Sequence, residues 1–325
     1  MHIPDGFLDT RTWIAADLVC AAVLSEALRR TRLTVTRRQV PMVSLIGAFV
    51  FAAQMINFPV AGATSGHFLG GSLTSILFGP WIGSVIMTAV ILVQAFVFQD
   101  GGITVLGANI LCMGFIGNFL GYGIYKMLTA IFPERWSFAS SFVSAWFSVV
   151  AGASAVSVLL SVSGTVPLPM ALTAMAGWHV LIGIGEGLIT AFVVGYLRER
   201  NIVFSGRSES ADLGDTGQQN TSGGMKKWAV LVLATMGIVV FLSPFASTLP
   251  DGLDRVAIDH QFAGKAKSGF VDAPLAGYQI GFAEGKIWGT AGAGLAGVLM
   301  IMALLYGYHR ITAKSPAVRC QEPNS

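Results

Sequence analysis

The chain of 325 residues is 54% hydrophobic and only 11% charged, with a formal net charge of +3 at neutral pH. Soluble domains carry about 25% charged residues, so this composition excludes an ordinary soluble protein and predicts an integral membrane protein. The sequence predicts no basic surface of the kind that binds nucleic acids. The three cysteines, Cys20, Cys112 and Cys320, have the spacing of neither a disulfide framework nor a CxxC metal site.

The apolar stretches have the length of membrane helices and lack the two-residue alternation of barrel strands. We therefore predict an all-α fold. It is a polytopic membrane bundle in which seven helices form a core and two further transmembrane helices follow. The expected location is the cell (inner) membrane, crossed several times within the lipid bilayer.

The first apolar run, from Thr12 to Leu28, lacks the basic start and the cleavage pattern of a signal peptide and contains Asp17 and Glu26. It predicts an uncleaved span in a protein that begins at Met1. The span ends in the densest basic cluster of the chain: Arg29, Arg30, Arg32, Arg37 and Arg38. The basic end of a membrane helix stays in the cytoplasm, so the N-terminus is predicted to lie outside the cell. Glu26 lies three and four residues before the first two arginines, which predicts ion pairs on the helix surface.

A second span, from Val40 to Ile56, leads back outward to a glycine-rich loop that carries His67 and no Lys or Arg. We divide the next apolar run, Leu73 to Phe98, at Gly79-Pro80. One long helix there would place every later basic cluster outside the cell. The division predicts a short helix from Phe68 to Phe78, covering about 16 Å of the roughly 30 Å hydrocarbon core. Irregular backbone at membrane depth must be buried in protein or face a cavity, so His67 is predicted to lie in a pocket.

The later spans are predicted at Trp81 to Phe98, Ile103 to Leu128, Phe138 to Val162, Ala171 to Leu197, Trp228 to Leu242 and Ile287 to Tyr306. Residues 205–225 are rich in Ser, Gly, Asp and Gln and mark a domain boundary. We therefore predict four parts. These are a membrane domain at 1–204, a flexible cytoplasmic linker at 205–227, an accessory domain with two spans and an outer loop at 228–315, and a tail at 316–325.

The first residues of the chain predict a metal site. The Met1 amine, the His2 amide nitrogen and the His2 imidazole can wrap one ion in fused chelate rings, and His67 can supply a fourth nitrogen. Divalent nickel favours such a square plane of nitrogen donors. The turn Pro4-Asp5-Gly6 can fold the terminus back into the protein. The alternative is that a histidine at position two is an accident of a solvated chain end.

Four stretches then point to one family: Met1 to Leu8, Gly66 to Gly71, Gln99 to Gly102 with Leu106 to Asn109, and His179 to Gly187. Together they closely resemble the CbiM/NikM family, the nickel/cobalt substrate-binding (S) component of energy-coupling factor (ECF) transporters, over residues 1–200. The resemblance implies a seven-helix receptor whose N-terminus plugs inward. It also implies that Met1, His2 and His67 hold the metal, which is transported as substrate, with no resident cofactor and no enzyme activity.

The resemblance extends to the C-terminal region and to partners. Pro250 to Asp254 is similar to a PDGLE-type accessory domain of the CbiN/NikN kind, with Asp254 in place of the usual Glu. The chain has no GxxxxGK[ST] motif, so energy for active uptake must come from elsewhere. The family implies a transmembrane coupling (T) subunit and cytoplasmic ATPases, and an ATP-driven reorientation that releases metal inside.

Several polar residues are candidates for positions behind the metal ligands: Ser65, Asp17, Asn109, His179 and Glu186. Asp17 is predicted to lie behind the His67 loop as an acceptor, and Asn109, with Gln94, to orient that loop. His179 and Glu186 share a helix face, which predicts an interhelical hydrogen-bonding network. The alternative for Asp17 is packing with other polar groups, and the alternative for His179 and Glu186 is contact with the path of the metal.

Small residues four apart on the first helix are associated in this family with docking of the coupling subunit. The chain offers a partial match, Ala16 with Cys20 and Ala21 with Ser25. Affinity order and the fused accessory domain favour nickel as the substrate, and cobalt uptake for cobalamin synthesis is the alternative.

Two hypotheses of another class remain. A secondary carrier or channel would work without partners, but the short helix has no counterpart in a second repeat. An intramembrane metalloenzyme would need an open coordination position, and the chain has no HExxH motif.

Overall fold

The computed structural model describes residues 1–37, 39–200, 221–267, 272–283 and 287–312. The predicted all-α membrane bundle is confirmed. The helices that precede residue 200 are α1 Thr10–Thr34, α2 Val40–Gln54, α3 Gly71–Phe78, α4 Pro80–Phe98, α5 Leu106–Ile131, α6 Ser137–Val162 and α7 Leu168–Glu199. Three further helices follow: α8 Thr221–Gly237, α9 Gly252–Asp259 and α10 Ile287–Thr312.

Five helices in the described part of the chain are long and apolar enough to cross a membrane: α4, α5, the stretch Glu134–Val162 that contains α6, α7 and α10. Helix α2 and the segment Ala229–Phe245 are apolar but shorter. On α1, Glu26 forms the predicted ion pairs with Arg29 and Arg30, at 2.7 and 2.6 Å. The chain is therefore a multi-pass membrane protein.

The predicted break between α3 and α4 is present. Gly79 adopts a φ of +84°, which favours glycine, and Pro80 starts α4 in the first helical turn, where a missing N–H costs little. Helix α3 starts at Gly71 and not at the predicted Phe68. Its eight residues span about 12 Å, and most of its side chains are buried.

The start of α3 was predicted wrongly because the preceding residues form a β-hairpin. Strand β1 (Asn57–Val60) pairs antiparallel with β2 (Thr64–His67), with Asn57 opposite His67. The tight connection uses positive φ at Gly62 and Ala63. Every residue of β2 is buried. The hairpin therefore holds His67 on ordered backbone at one end of the bundle.

Close helix contacts at glycines hold the bundle together. A Cβ on Gly183 of α7 would lie 2.9 Å from the Trp146 side chain of α6. A Cβ on Gly297 of α10 would lie 2.2 Å from the ring of Phe51 on α2. Small residues allow helices in lipid to approach closely. The C-terminal helix α10 therefore packs directly on the helices that precede residue 200.

The predicted linker at 205–227 lies mostly outside the described residues. Its last residues are helical, because α8 begins at Thr221 and not at the predicted Trp228. The predicted tail at 316–325 also lies outside them. In the predicted outer segment, residues 245–267 and 272–283 form α9 and short 3-10 turns. This segment covers the end of the bundle that carries His67.

Candidate metal centre

The turn Pro4-Asp5-Gly6 reverses the chain and anchors its first residues. Gly6 adopts a φ of +93°, and the Phe7 amide donates to the Pro4 carbonyl at 3.4 Å. The Asp5 carboxylate accepts hydrogen bonds from the amides of Ile103 (3.2 Å) and Thr104 (2.9 Å) and from the Thr104 hydroxyl (2.5 Å). Hydrogen bonds to a charged acceptor are among the strongest in proteins. The terminus therefore folds back onto the loop before α5.

Ile3 is held on both sides of its peptide group. Its amide donates to Asn109 Oδ1 at 2.8 Å, and its carbonyl accepts from Asn109 Nδ2 at 3.0 Å and from the Gly102 amide at 2.9 Å. Met1 is only 2% exposed, and Ile3 is fully buried. Asn109, which was predicted to orient the His67 loop, instead contacts the backbone of the terminus.

His67 is oriented by its own backbone and by α7. Its Nδ1 lies 3.0 Å from the Phe68 carbonyl, and when it donates there, Nε2 keeps a free lone pair. The Glu186 carboxylate accepts from the amides of Leu69 (2.6 Å) and Gly70 (2.9 Å). Buried Glu186 therefore fixes the chain that leaves the hairpin.

These anchors bring the predicted ligands together. The Met1 nitrogen lies 2.9 Å from His67 Nε2, and the rings of His2 and His67 stack with centroids 5.3 Å apart. In a square plane with metal–nitrogen bonds of about 2 Å, adjacent donors lie about 2.8 Å apart. The amine and the second imidazole are therefore at the spacing of neighbouring ligands.

The His2 ring has a polar partner on each nitrogen. Nε2 lies 3.1 Å from Gln94 Oε1, and Nδ1 lies 3.2 Å from Asp100 Oδ1. Gln94 is held by Gln54, whose Oε1 accepts from Gln94 Nε2 at 2.7 Å, and Asp100 accepts from the Tyr278 hydroxyl at 2.6 Å. A metal bound at Nδ1 would replace the contact with Asp100.

The Met1 amine has a second partner that sequence reasoning missed. Its ammonium group forms an ion pair with the carboxylate of Asp251. Tyr278, which holds Asp100, was missed as well. One sequence signal was available, because Pro250-Asp251-Gly252 repeats the tripeptide Pro4-Asp5-Gly6. Both missed residues come from the C-terminal region, so that region completes the surroundings of the terminus.

Burial determines the charge of the two imidazoles. It lowers the pKa of His67 below its ordinary value, and the charge of the chain terminus lowers it further. Burial likewise lowers the pKa of His2, although the Asp100 carboxylate acts in the opposite direction. Burial therefore favours the neutral form of both rings, which keeps the lone pairs that a metal requires.

The carboxylate beside the amine is charged. Burial raises the pKa of Asp251, but the positive charge of the terminus and its hydrogen bond to the carboxylate outweigh burial and hold that pKa well below its usual range. Asp251 therefore places a negative charge next to the terminal nitrogen.

The side chains of Ser65 and Asp17 contact backbone groups and not the candidate ligands. The Ser65 hydroxyl donates to the Leu249 carbonyl at 2.7 Å, which ties the hairpin to the C-terminal segment. Asp17 does not lie behind the His67 loop. Its carboxylate accepts from the Gly107 amide at 2.7 Å, because α1 packs against the start of α5 and not against the hairpin.

His179 and Glu186 do not form the predicted shared network. His179 Nδ1 lies 2.7 Å from the carbonyl of Met175 on its own helix, whereas Glu186 contacts the chain after β2. The His179 ring is buried and lines a small cavity together with Met1, Gly66, His67, Leu69, Ile182, Asp251 and Gly252. It therefore faces the candidate site from α7.

The small residues of α1 divide between two environments. Ala16 and Cys20 are buried, and Cys20 packs against Gly107 at the start of α5. Ala21 and Ser25 are exposed. Only the second pair is open to a partner, since the first pair already serves packing within the chain.

Comparison with protein families gives two matches. A family described as the cobalt uptake substrate-specific transmembrane region, CbiM, matches residues 2–202. The PDGLE domain matches residues 225–314.

Individual relatives agree with these matches. A protein of Archaeoglobus fulgidus, provisionally named a fused nickel transport protein NikMN, is 32% identical over 95% of this chain and 98% of its own length. The fused nickel transport protein NikMN of Rhodobacter capsulatus is 31% identical over 62% of each chain. The cobalt transport protein CbiM of Acetohalobium arabaticum is 28% identical over 61% of this chain and 82% of its own.

A solved structure is also similar. The crystal structure of a truncated transition metal transporter is 34% identical and matches with a TM-score of 0.55, over 61% of this chain and 99% of that one. The relatives are transport proteins and not enzymes, as the sequence predicted. The chain therefore belongs to the CbiM family of nickel/cobalt transport proteins, in the fused form that also carries a PDGLE domain.

Proposed function

We propose that this chain captures Ni²⁺, or alternatively Co²⁺, as the substrate-binding membrane component of an energy-coupling importer. The ligands are the Met1 amine, the amide and imidazole nitrogens of His2, and His67 Nε2. The observation that carries the proposal is the 2.9 Å separation of the Met1 nitrogen and His67 Nε2 inside the protein. Burying a charged terminus is costly unless it is paired, and the protein provides Asp251 as the partner that keeps the amine beside His67.

Metal binding changes the contacts of the site. The amine gives up a proton to expose its lone pair, and the His2 amide does the same to become a ligand. His2 Nδ1 exchanges the Asp100 carboxylate for the metal. Four nitrogens then surround the ion in the plane that nickel favours. Cobalt enters the same site, with an affinity below that of nickel for a given set of nitrogen donors.

Residues behind the ligands keep this geometry. Asn109 holds Ile3, Glu186 holds the chain after His67, and Ser65 ties the hairpin to the C-terminal segment. Asp17 supports the start of α5, where Asn109 lies, and His179 closes the site from α7. Such supporting residues typically contribute about 10- to 100-fold in metal affinity.

The chain delivers metal with partners. It contains no GxxxxGK[ST] motif, so a transmembrane coupling subunit and cytoplasmic ATPases supply the energy. The exposed Ala21 and Ser25 on α1 are the surface offered to the coupling subunit. The N-terminus faces outside, since the basic end of α1 stays in the cytoplasm. Residues 1–204 form the metal-binding domain, and residues 228–315 form the accessory domain.

The test is nickel titration of the purified full-length protein, with and without two residues added before Met1. The extension turns the Met1 amine into an amide and moves the histidine to position four. Two residues are added because a histidine at position three could chelate nickel together with a new terminal amine and two amide nitrogens. The extension should weaken binding by more than the roughly 100-fold that loss of a supporting residue costs. Two residues added after Ser325 are the control. Unchanged affinity in the N-terminal variant, with the added residues verified by mass, would remove the amine from the site.

A further inference from the structure

Asp251 uses its two carboxylate oxygens for different purposes. Oδ1 accepts from the amides of Leu253 (2.8 Å) and Asp254 (2.9 Å) and so caps the N-terminus of α9. Oδ2 pairs with the Met1 amine. Helix capping requires only the first oxygen, so the second contact needs a separate explanation.

The turn that carries Asp251 is clamped to the strand that carries His67. The Ser65 amide donates to the Pro250 carbonyl at 2.8 Å, and the Ser65 hydroxyl donates to the Leu249 carbonyl at 2.7 Å. On the other side, Leu253 of α9 is fully buried. The carboxylate therefore has a fixed position relative to both the amine and His67.

We infer that Asp251 is a positioning residue for metal capture, supplied by the C-terminal region. Without metal, its carboxylate holds the Met1 amine against His67. With metal bound, it accepts a hydrogen bond from an N–H of the coordinated amine, and its negative charge offsets that of the cation. This inference rests on the proposed ligand set.

The physical reason lies in the freedom of a chain terminus. A primary amine on the first residue can rotate, and ordering it costs free energy each time metal binds. A carboxylate behind a ligand fixes its orientation and makes it a better donor. Asp251 supplies both effects at the Met1 amine, which is not held in a helix. The C-terminal region thereby contributes to capture without providing a ligand.

The test compares Asp251→Asn with Asp259→Asn in the full-length protein. Asparagine caps helices as well as aspartate does, so the first variant keeps α9 and removes the charge. Asp259 lies at the other end of α9, is exposed, and pairs with Arg255 of the same helix at 3.0 Å. The first variant should bind nickel about 10- to 100-fold more weakly, and the second as the wild type does.

Two further readouts separate positioning from folding. The thermal unfolding midpoint of the metal-free Asp251→Asn variant should stay near that of the wild type, and the visible absorption band of its bound nickel should shift. Asp251→Ser, which also caps a helix, is the second variant if the first does not fold, and the same loss of affinity is expected. Wild-type affinity in either folded variant would overturn the inference.

The same titrations distinguish this inference from the proposed function. If two residues added before Met1 leave nickel binding intact, the ligand set itself is wrong. If the extension abolishes binding but Asp251→Asn and Asp251→Ser bind like Asp259→Asn, only the role of Asp251 fails.

Discussion

The tripeptide Pro-Asp-Gly occurs at residues 4–6 and again at 250–252, and the two copies behave differently. Asp5 gives both carboxylate oxygens to donors on the loop before α5. One carboxylate oxygen of Asp251 accepts a hydrogen bond at the start of α9, and the other pairs with the Met1 amine. The same side chain is an anchor in one place and faces the metal site in the other, because different donors surround it.

The glycines of the two turns differ in the same way. Gly6 needs glycine for its φ of +93°, and a Cβ there would lie 2.2 Å from the Lys265 carbonyl oxygen. Gly252 is the first residue of α9, where a Cβ would lie 2.7 Å from the ring of His179. The first glycine is required by its backbone conformation, and the second by a neighbouring side chain. We expect the first turn to be the less tolerant of substitution.

Gly6→Ala should have the largest effect on nickel binding. The positive φ and the overlap with Lys265 together cost about 2 to 5 kcal/mol, which corresponds to about 30- to 4,000-fold in affinity. Isothermal titration with nickel measures the loss. Gly264→Ala is the matched control, because a Cβ at Gly264 meets nothing within 4 Å. An equal loss in both variants would contradict the assignment of Gly6 as the critical position.

Asp5→Asn should have the next largest effect. In the wild type, three donors bind the two oxygens of the Asp5 carboxylate, whereas asparagine offers a single acceptor atom. The free energy that holds the terminus in place should fall by about 2 kcal/mol, which corresponds to about 30-fold in nickel affinity. The metal-free variant should also expose its α-amine to amine-reactive reagents. Asp9→Asn, at the cap of α1, should keep wild-type behaviour. An α-amine equally protected in both variants would show that Asp5 does not hold the terminus.

Gly252→Ala should have the smallest effect of the three. The added methyl group meets a side chain and not backbone, so a shift of the His179 ring or of α9 can relieve the overlap at a cost of about 1 kcal/mol. Nickel affinity should fall about fivefold as Asp251 moves from the amine. Gly281→Ala, where a Cβ meets nothing within 4 Å, is the control for titration. A loss as large as that of Gly6→Ala would erase the difference between the two turns.

Much of the fold could be predicted from local sequence. Helices α2 and α4 begin within a residue of their predicted starts, at Val40 and Pro80, because apolar runs and a Gly-Pro pair act over a few neighbouring residues. The hairpin before α3 was missed. Thr64 to His67 show no strand alternation, and their pairing with β1 follows from burial against α7 and α9, which sequence reasoning could not see.

The sequence by itself determined the membrane class, most helix boundaries and three candidate ligands, Met1, His2 and His67. These follow from composition, from hydrophobic length and from motifs whose residues are close in the chain or belong to a known pattern. Only the tertiary structure decided what surrounds those ligands. Asp251 meets the amine across 250 positions, and Tyr278 holds Asp100. Contacts of that range depend on which helices pack together, and no local propensity specifies them.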